Sequence, residues 1–277
     1  MITFSTSSWT LHGKLGQVFF EHDLHGQSWI EKGAPASDFS LLDFPTFVSN
    51  DGIVHIEICH FHFPSIQSEY VSKLKNAINS AGVSLENILV DRGNLASPDD
   101  TEREEAIEIC KMWFRIAADL GAKGCRIDCG TELPTQDAKN LAADALKILH
   151  DYGATLGLAL TTENFRRTSQ EATDLLEIMK MADRPLGLCL DFGNAVATGD
   201  KYGTIQDLIP HTTSLHCKGE YVDGELDREE LAQSLSIVMA ANYSGLAGLV
   251  YGSTENEWAH ALELKQAISS LYHQEPV

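Results

Sequence analysis

Short apolar runs alternate with longer segments of helical period along this chain, and the alternation repeats eight times. The strand-like runs are ITFSTSSW (2–9), IVHIEICHF (53–61), LENILVD (85–91), GCRIDCG (124–130), LALTTENF (158–165), LGLCLDF (186–192), TSLHCKG (213–219) and LAGLVYG (246–252). Between them lie helical patterns, the clearest being TEREEAIEICKMWFRIAADLG at 101–121. There Ile109, Trp113, Ile116 and Leu120 recur every three or four residues, Thr101 with Glu104 forms an expected capping box, and Gly121 supplies a stop. Similar patterns run over 135–152, 227–242 and 254–271, the last opened by an expected capping box of Thr254 and Glu257. Alternating β and α segments predict a parallel sheet. Eight such units predict an α/β fold, a (β/α)8 TIM barrel forming a single domain over 1–277, since such barrels take about 250 residues. Residues 11–43, with four glycines and no sustained period, are expected to form a long loop after the first strand, on the face where such barrels carry their sites. The alternative, an open doubly wound sheet, needs a glycine-rich phosphate turn that STSSWTLHG does not supply.

Strand parity converts this pattern into a list of inward side chains, because the large aliphatics of a barrel face the helices and the alternate positions face the axis. In LGLCLDF the outward set is Leu186, Leu188, Leu190 and Phe192, which turns Gly187, Cys189 and Asp191 inward. The same rule turns Glu163 inward from LALTTENF, Ser214, His216 and Lys218 from TSLHCKG, Arg126 and Asp128 from GCRIDCG, and Glu57 from IVHIEICHF. His62 falls where the chain leaves its strand ahead of Pro64. Each residue alone has an ordinary explanation, such as capping the next helix or pairing with a neighbouring charge. Glu163, Asp191 and His216 on three consecutive strands form a convergent oxygen and nitrogen set suited to a hard-to-borderline divalent ion.

Charge narrows the partners. Forty acidic residues against twenty basic ones give a net charge of −20, which opposes binding to nucleic acid or to an anionic membrane surface. Six cysteines with no CxxC pair read as reduced, buried thiols of a cytoplasmic protein. Met1 leads directly into ITFSTSSW without a leader pattern, and no apolar run approaches the length of a membrane span.

On these residues the chain resembles the xylose isomerase-like TIM-barrel superfamily, in its sugar phosphate isomerase/epimerase branch, over nearly the whole length. The resemblance is carried by HIEI on strand two, TTENF on strand five, LDFGN on strand six and LHCKG on strand seven, in that order and spacing. It implies a divalent metal ion, Mn, Mg, Co or Zn, held by Glu163, Asp191 and His216 with a further Glu from strand eight. It also implies enediolate chemistry, with Glu163 as the base and Lys218 offering positive charge to the developing enolate. Glu57, His62, Arg126 and Asn194 are the expected substrate-binding residues. The departure is at strand eight, where parity turns Val250 inward at the position of the family's Glu. The ion would then have three protein ligands and be weakly held, and a two-base epimerisation would lack one base. Phe165 stands for the usual His, and Gly219 for the usual Asp, with Glu220 following.

Two classes of function remain. One is a metal-assisted isomerase or epimerase acting on a small sugar or keto-sugar, phosphorylated or not, with a dehydratase or lyase needing one base as its neighbour. The other is a sugar-binding barrel without catalysis. A metal-dependent endonuclease of the same superfamily is disfavoured by the acidic charge and by Asn194 standing where a histidine is needed. Self-association is left open by the sequence.

Overall fold

All eight strand-like runs form the strands of one closed parallel barrel in the computed structural model, which describes residues 2–33 and 38–272. They are β1 (Thr3–Ser7), β2 (His55–Cys59), β3 (Ser84–Val90), β4 (Gly124–Ile127), β5 (Ala159–Glu163), β6 (Gly187–Asp191), β7 (Ser214–Lys218) and β8 (Leu246–Val250). The order around the barrel follows the chain, and β1 closes it by pairing with both β2 and β8. The outward positions are apolar and fully buried under the helices, as at Ile56, Ile58, Ile88, Val90, Leu188 and Leu190. Their alternation fixes the register, because a slip of one residue would turn the acids and His216 into that apolar layer.

The surrounding helices are α1 (Phe44–Ser49), α2 (Ser68–Ala81), α3 (Asp100–Leu120), α4 (Gln136–Thr155), α5 (Ala172–Ala182), α6 (Phe192–Val196), α7 (Lys201–Leu208), α8 (Arg228–Ala240) and α9 (Glu257–Tyr272). In α3 the periodic residues Ile109, Trp113, Ile116 and Leu120 are buried, and Gly121 ends the helix with a φ of 81°. Only glycine takes that conformation without strain.

Both expected capping boxes are corrected. Asp99 caps α3 by accepting from the backbone N–H groups of Thr101 and Glu102, at 2.8 and 3.1 Å, so Thr101 lies inside the first turn. An aspartate two residues earlier offers a stronger acceptor to the helix N-terminus than the threonine hydroxyl. At α9, Glu257 turns instead to the segment following β1, accepting from Gly13 N at 2.6 Å and Lys14 N at 2.9 Å. Two backbone donors there outweigh a reciprocal cap.

The span 11–43 is also more ordered than a loop. Phe19–His22 and Ser28–Lys32 pair as an antiparallel hairpin. Asp23 sets its turn by accepting from His25 N and Gln27 N at 2.9 and 2.8 Å, and Gly26 supplies a φ of 82°. The hairpin leans on the short turn His60–His62 that follows β2, with the Phe19 ring 5.0 Å from Phe61 and 6.0 Å from His62. All six cysteines are buried and free. Among the described residues no helix is long and apolar enough to cross a membrane.

Candidate active site

A cavity of about 360 Å³ opens at the carboxyl-terminal ends of the strands. Its polar lining includes Asp91, Arg126, Glu163, Asp191, Asn194, His216 and Lys218, and its apolar walls are Trp9, Phe19, Phe61, Leu89, Phe165 and Val250. Aromatic walls with a few convergent polar groups suit a small ligand that presents C–H faces and hydroxyls. Two expected substrate contacts are placed elsewhere. His62 is buried with Nδ1 2.8 Å from Ser8 Oγ, and burial lowers its pKa to about 3. Glu57 lies beside the His216 ring, and neither Glu57 nor His62 is among the residues lining the cavity.

His216 organises the centre. Its Nε2 sits 2.8 Å from Glu57 Oε2, while Asn87 Nδ2 donates to Glu57 Oε1 at 2.8 Å. Burial pushes Glu57 up, but His216, Asn87 and Arg126 outweigh it and hold the carboxyl below its usual range. With Nε2–H given to a carboxylate, the other ring nitrogen is aimed at the remaining acids. His216 Nδ1 lies 3.6 Å from Asp191 Oδ2 and 3.8 Å from Glu163 Oε2. Burial opposes a charged ring, and Cys189, Glu57 and Asp191 more than offset it, so the His216 pKa stands well above its ordinary value.

Glu163 is split between its two oxygens. Oε1 accepts from Asn194 Nδ2 at 2.8 Å. Oε2 is buried without a hydrogen-bond partner, although Arg126 Nε faces it at 2.9 Å out of alignment. Burial raises the carboxyl, to about 7, against the pull of Arg126 and His216. Arg126 is itself buried and is anchored by an ion pair with Asp91, whose pKa that arginine holds down against burial.

Asp191 also divides its duties. Oδ1 caps α6 by accepting from Asn194 N at 2.7 Å, and Oδ2 faces His216. Asn164 clamps the strand end, donating to Asp191 O at 3.0 Å and accepting from Asp191 N at 2.8 Å. Burial would raise the Asp191 carboxyl, yet His216, Lys218 and the Asn194 N–H keep it below its usual value.

The donor chemistry fits a divalent cation. One donor atom each from Glu163, Cys189 and His216 falls within 4.8 Å of the others, and Asp191 faces the same ring nitrogen. The carboxylate on Nε2 is the usual companion of a metal-binding histidine, because it fixes the tautomer and strengthens the other nitrogen as a donor. Two buried carboxylates, Glu163 and Asp191, face His216 Nδ1, a concentration of negative charge that a cation would offset. Cys189 enters this group where β8 offers only Val250. Burial pushes its thiol up to about 11, so it would bind an ion only on losing a proton.

Sequence reasoning missed three participants. Asp91 ends its strand in the same parity as Asn87 and Leu89, so the rule applied to Asp191 would have turned it inward. Cys189 had been placed inward but carried no recognised donor role. Asn164 acts on backbone atoms of the next strand, and nothing in TTENF signals a partner 27 residues away.

A closed parallel barrel with a titratable cluster at its carboxyl-terminal mouth defines a (β/α)8 protein built to receive a small ligand there. The chain belongs to the xylose isomerase-like TIM barrel family, whose model matches residues 46–264. Its fold is similar to that of L-ribulose 3-epimerase, with 16% identity, all of both chains covered and a TM-score of 0.71. It is also similar to D-psicose 3-epimerase determined in the presence of D-fructose, with 15% identity, 97% and 98% of the two chains covered and a TM-score of 0.67. A third similar structure is a xylose isomerase-like TIM barrel protein from Mycobacterium smegmatis in complex with magnesium, with 16% identity, 96% and 97% covered and a TM-score of 0.62. No curated protein matches the sequence.

Proposed function

We propose that this chain is a metal-assisted sugar isomerase in which Glu163 moves a proton on the carbon next to a carbonyl. The observation that carries this reading is Glu163 Oε2, buried without a hydrogen bond at a cavity wall on a carboxyl whose pKa is raised to about 7. In the metal-free protein that carboxyl both holds and releases a proton near neutral pH, the range suited to a general base. Asn194 fixes the carboxylate through Oε1 and leaves Oε2 without a hydrogen bond. Glu163, Asp191 and His216, with Cys189 beside them, would hold the ion, which would supply polarisation of the substrate oxygens. The aromatic walls pack against the sugar's C–H faces and exclude water.

Val250 leaves no carboxylate on β8, and a single base returns a proton to the face from which it came. The reaction this favours is aldose–ketose isomerisation rather than inversion of a carbon, which needs a second group on the opposite face. The neighbours named as epimerases support the substrate class. The test is incubation with a panel of ketoses in heavy water, with Mg²⁺ or Mn²⁺, followed by NMR. Deuterium at the carbon beside the carbonyl together with an aldose product is expected. Sugar binding without exchange across the panel would instead establish a binding barrel.

The role given to Glu57 has its own consequence. Glu57→Gln removes the charge behind His216 while keeping a side chain of the same shape, and losing such a supporting carboxylate typically weakens metal affinity about 10–100-fold. Calorimetry with Mn²⁺ or Zn²⁺ on chelator-stripped protein should show that loss with the circular dichroism spectrum unchanged. Equal affinity in the two proteins would remove the metal from the account of the Glu57–His216 pair.

A further inference from the structure

Lys218 reaches the cavity from the end of β7 along a path cleared for it. A Cβ on Gly193 would overlap Lys218 Cδ, and one on Gly252 would come within 2.9 Å of Cε and 3.2 Å of Nζ. Neither glycine has a positive φ, so what each provides is space for the lysine stem. Threaded between them, the ammonium is held at a fixed place rather than left to roam on a flexible chain.

It is held there without a direct hydrogen-bond or ion-pair partner. Among the described residues, Lys218 is the one lysine or arginine not exposed to solvent that has neither a hydrogen bond nor an ion pair. Other enclosed cations are matched: Arg126 with Asp91, Lys139 with Asp174 and Glu177, Lys201 with Glu220 and Glu230. This occurs in a chain with 40 acidic and 20 basic residues, where acidic partners are abundant. Asp191, whose charge Lys218 does feel, has committed its oxygens to Asn194 N and to the His216 side. A positioned, partly desolvated cation without a partner is unfavourable in the free protein, and a ligand that brings the opposite charge removes that penalty. Lys32 from the hairpin is a second lining cation, its ammonium 5.4 Å from the centre of the Phe19 ring.

We propose that the ligand of this cavity carries a permanent oxyanion, a carboxylate or a phosphate, seated on Lys218 with Lys32 at the rim. This rests on the reading of the mouth as a small-carbohydrate site, and it concerns a group of the ligand other than the carbon addressed by Glu163. A neutral ketose would leave Lys218 unmatched in the complex as well as in the free protein.

Glycerol, glycerate and glycerol 3-phosphate share one carbon skeleton and differ in charge, and none has an aldehyde or ketone group, so none can be isomerised. Their binding to metal-stripped protein is followed by calorimetry, with Trp9 fluorescence as a second signal. At least one of the two anions should bind on the order of 10–100-fold tighter than glycerol, the gain expected of a charge-assisted contact, and the better of the two identifies the group. That advantage should disappear in Lys218→Met, fall in Gly252→Ala, which pushes the ammonium aside, and shrink as salt is raised. Absence of an anion preference in the wild type, or a preference that survives Lys218→Met, overturns the inference, and ketose turnover could still stand. An anion preference with no turnover of any ketose would keep the inference and defeat the isomerase reading.

Discussion

Glu163→Gln is expected to lower solvent-proton exchange at the substrate carbon by roughly 10²–10⁴-fold, the loss typical of removing one positioned general base. The structure makes this substitution a clean one on the side of Asn194, whose Nδ2 donates to Oε1 at 2.8 Å and can donate equally to an amide oxygen. The change falls on Oε2, the atom without a hydrogen bond, which becomes an NH2 group beside Arg126 Nε. An amide there cannot take a proton from carbon, and it sets a donor against a donor, so the loss should appear in kcat. Deuterium incorporation read by NMR, beside an unchanged far-ultraviolet circular dichroism spectrum, is the measurement. Exchange at the wild-type rate would remove Glu163 from the role of base.

Arg126→Met should be the most destabilising single change at the mouth. The guanidinium is the cation enclosed between Asp91 and Glu163, with side-chain exposures of 5% for Arg126 and 4% for Glu163. Removing one partner of a buried ion pair typically costs about 3–5 kcal/mol, because the remaining charge is left uncompensated. The cost depends on pH. Glu163 keeps its proton in the native state up to about 7, against an ordinary value of 4.5, so over that interval the native state binds more protons than the unfolded chain. Stability therefore falls as pH rises through the interval, and Arg126 limits the fall by favouring the ionised form. Without the arginine, burial holds the proton to still higher pH and the fall continues further. Urea unfolding should thus show a larger gap between wild type and Arg126→Met at about pH 8 than at about pH 5, where Glu163 is neutral in both native proteins and the share from Asp91 remains. A gap that is small and flat with pH would mean that Arg126 packs there without compensating either acid.

Most of the fold was legible because a barrel strand has two faces that must differ. LGLCLDF, LALTTENF and TSLHCKG each carry an apolar outer face and a polar inner one, and that contrast located the strands, their register and the mouth together. The (β/α)8 architecture follows from eight repetitions of the contrast. What escaped were features set by atoms distant in sequence. Glu257 is drawn away from its own helix cap by two N–H groups near residue 13, and Asp99 displaces Thr101 as a cap because a carboxylate is the better acceptor. The hairpin at 19–32 lacks the strong alternation of a half-buried strand because Ser28–Lys32 is solvent-exposed throughout. At the site, parity brought Arg126, Glu163, Asp191, His216 and Lys218 to one cavity. It could not distinguish a residue that lines that cavity from one that supports a liner, and so Glu57 looked like a substrate contact when its partner is the His216 ring.

The divided allegiance of Asp191 bears on how the family's history should be read. One oxygen starts α6 and the other faces the cluster, so a descendant released from the reaction would still be selected to keep this aspartate for folding. The Glu163 carboxyl caps no helix and instead meets the Asn194 and Arg126 side chains. As activity decays in a lineage, the strand-six acid should persist as a fossil while the strand-five acid drifts, and it is the latter whose retention separates working members from retired ones.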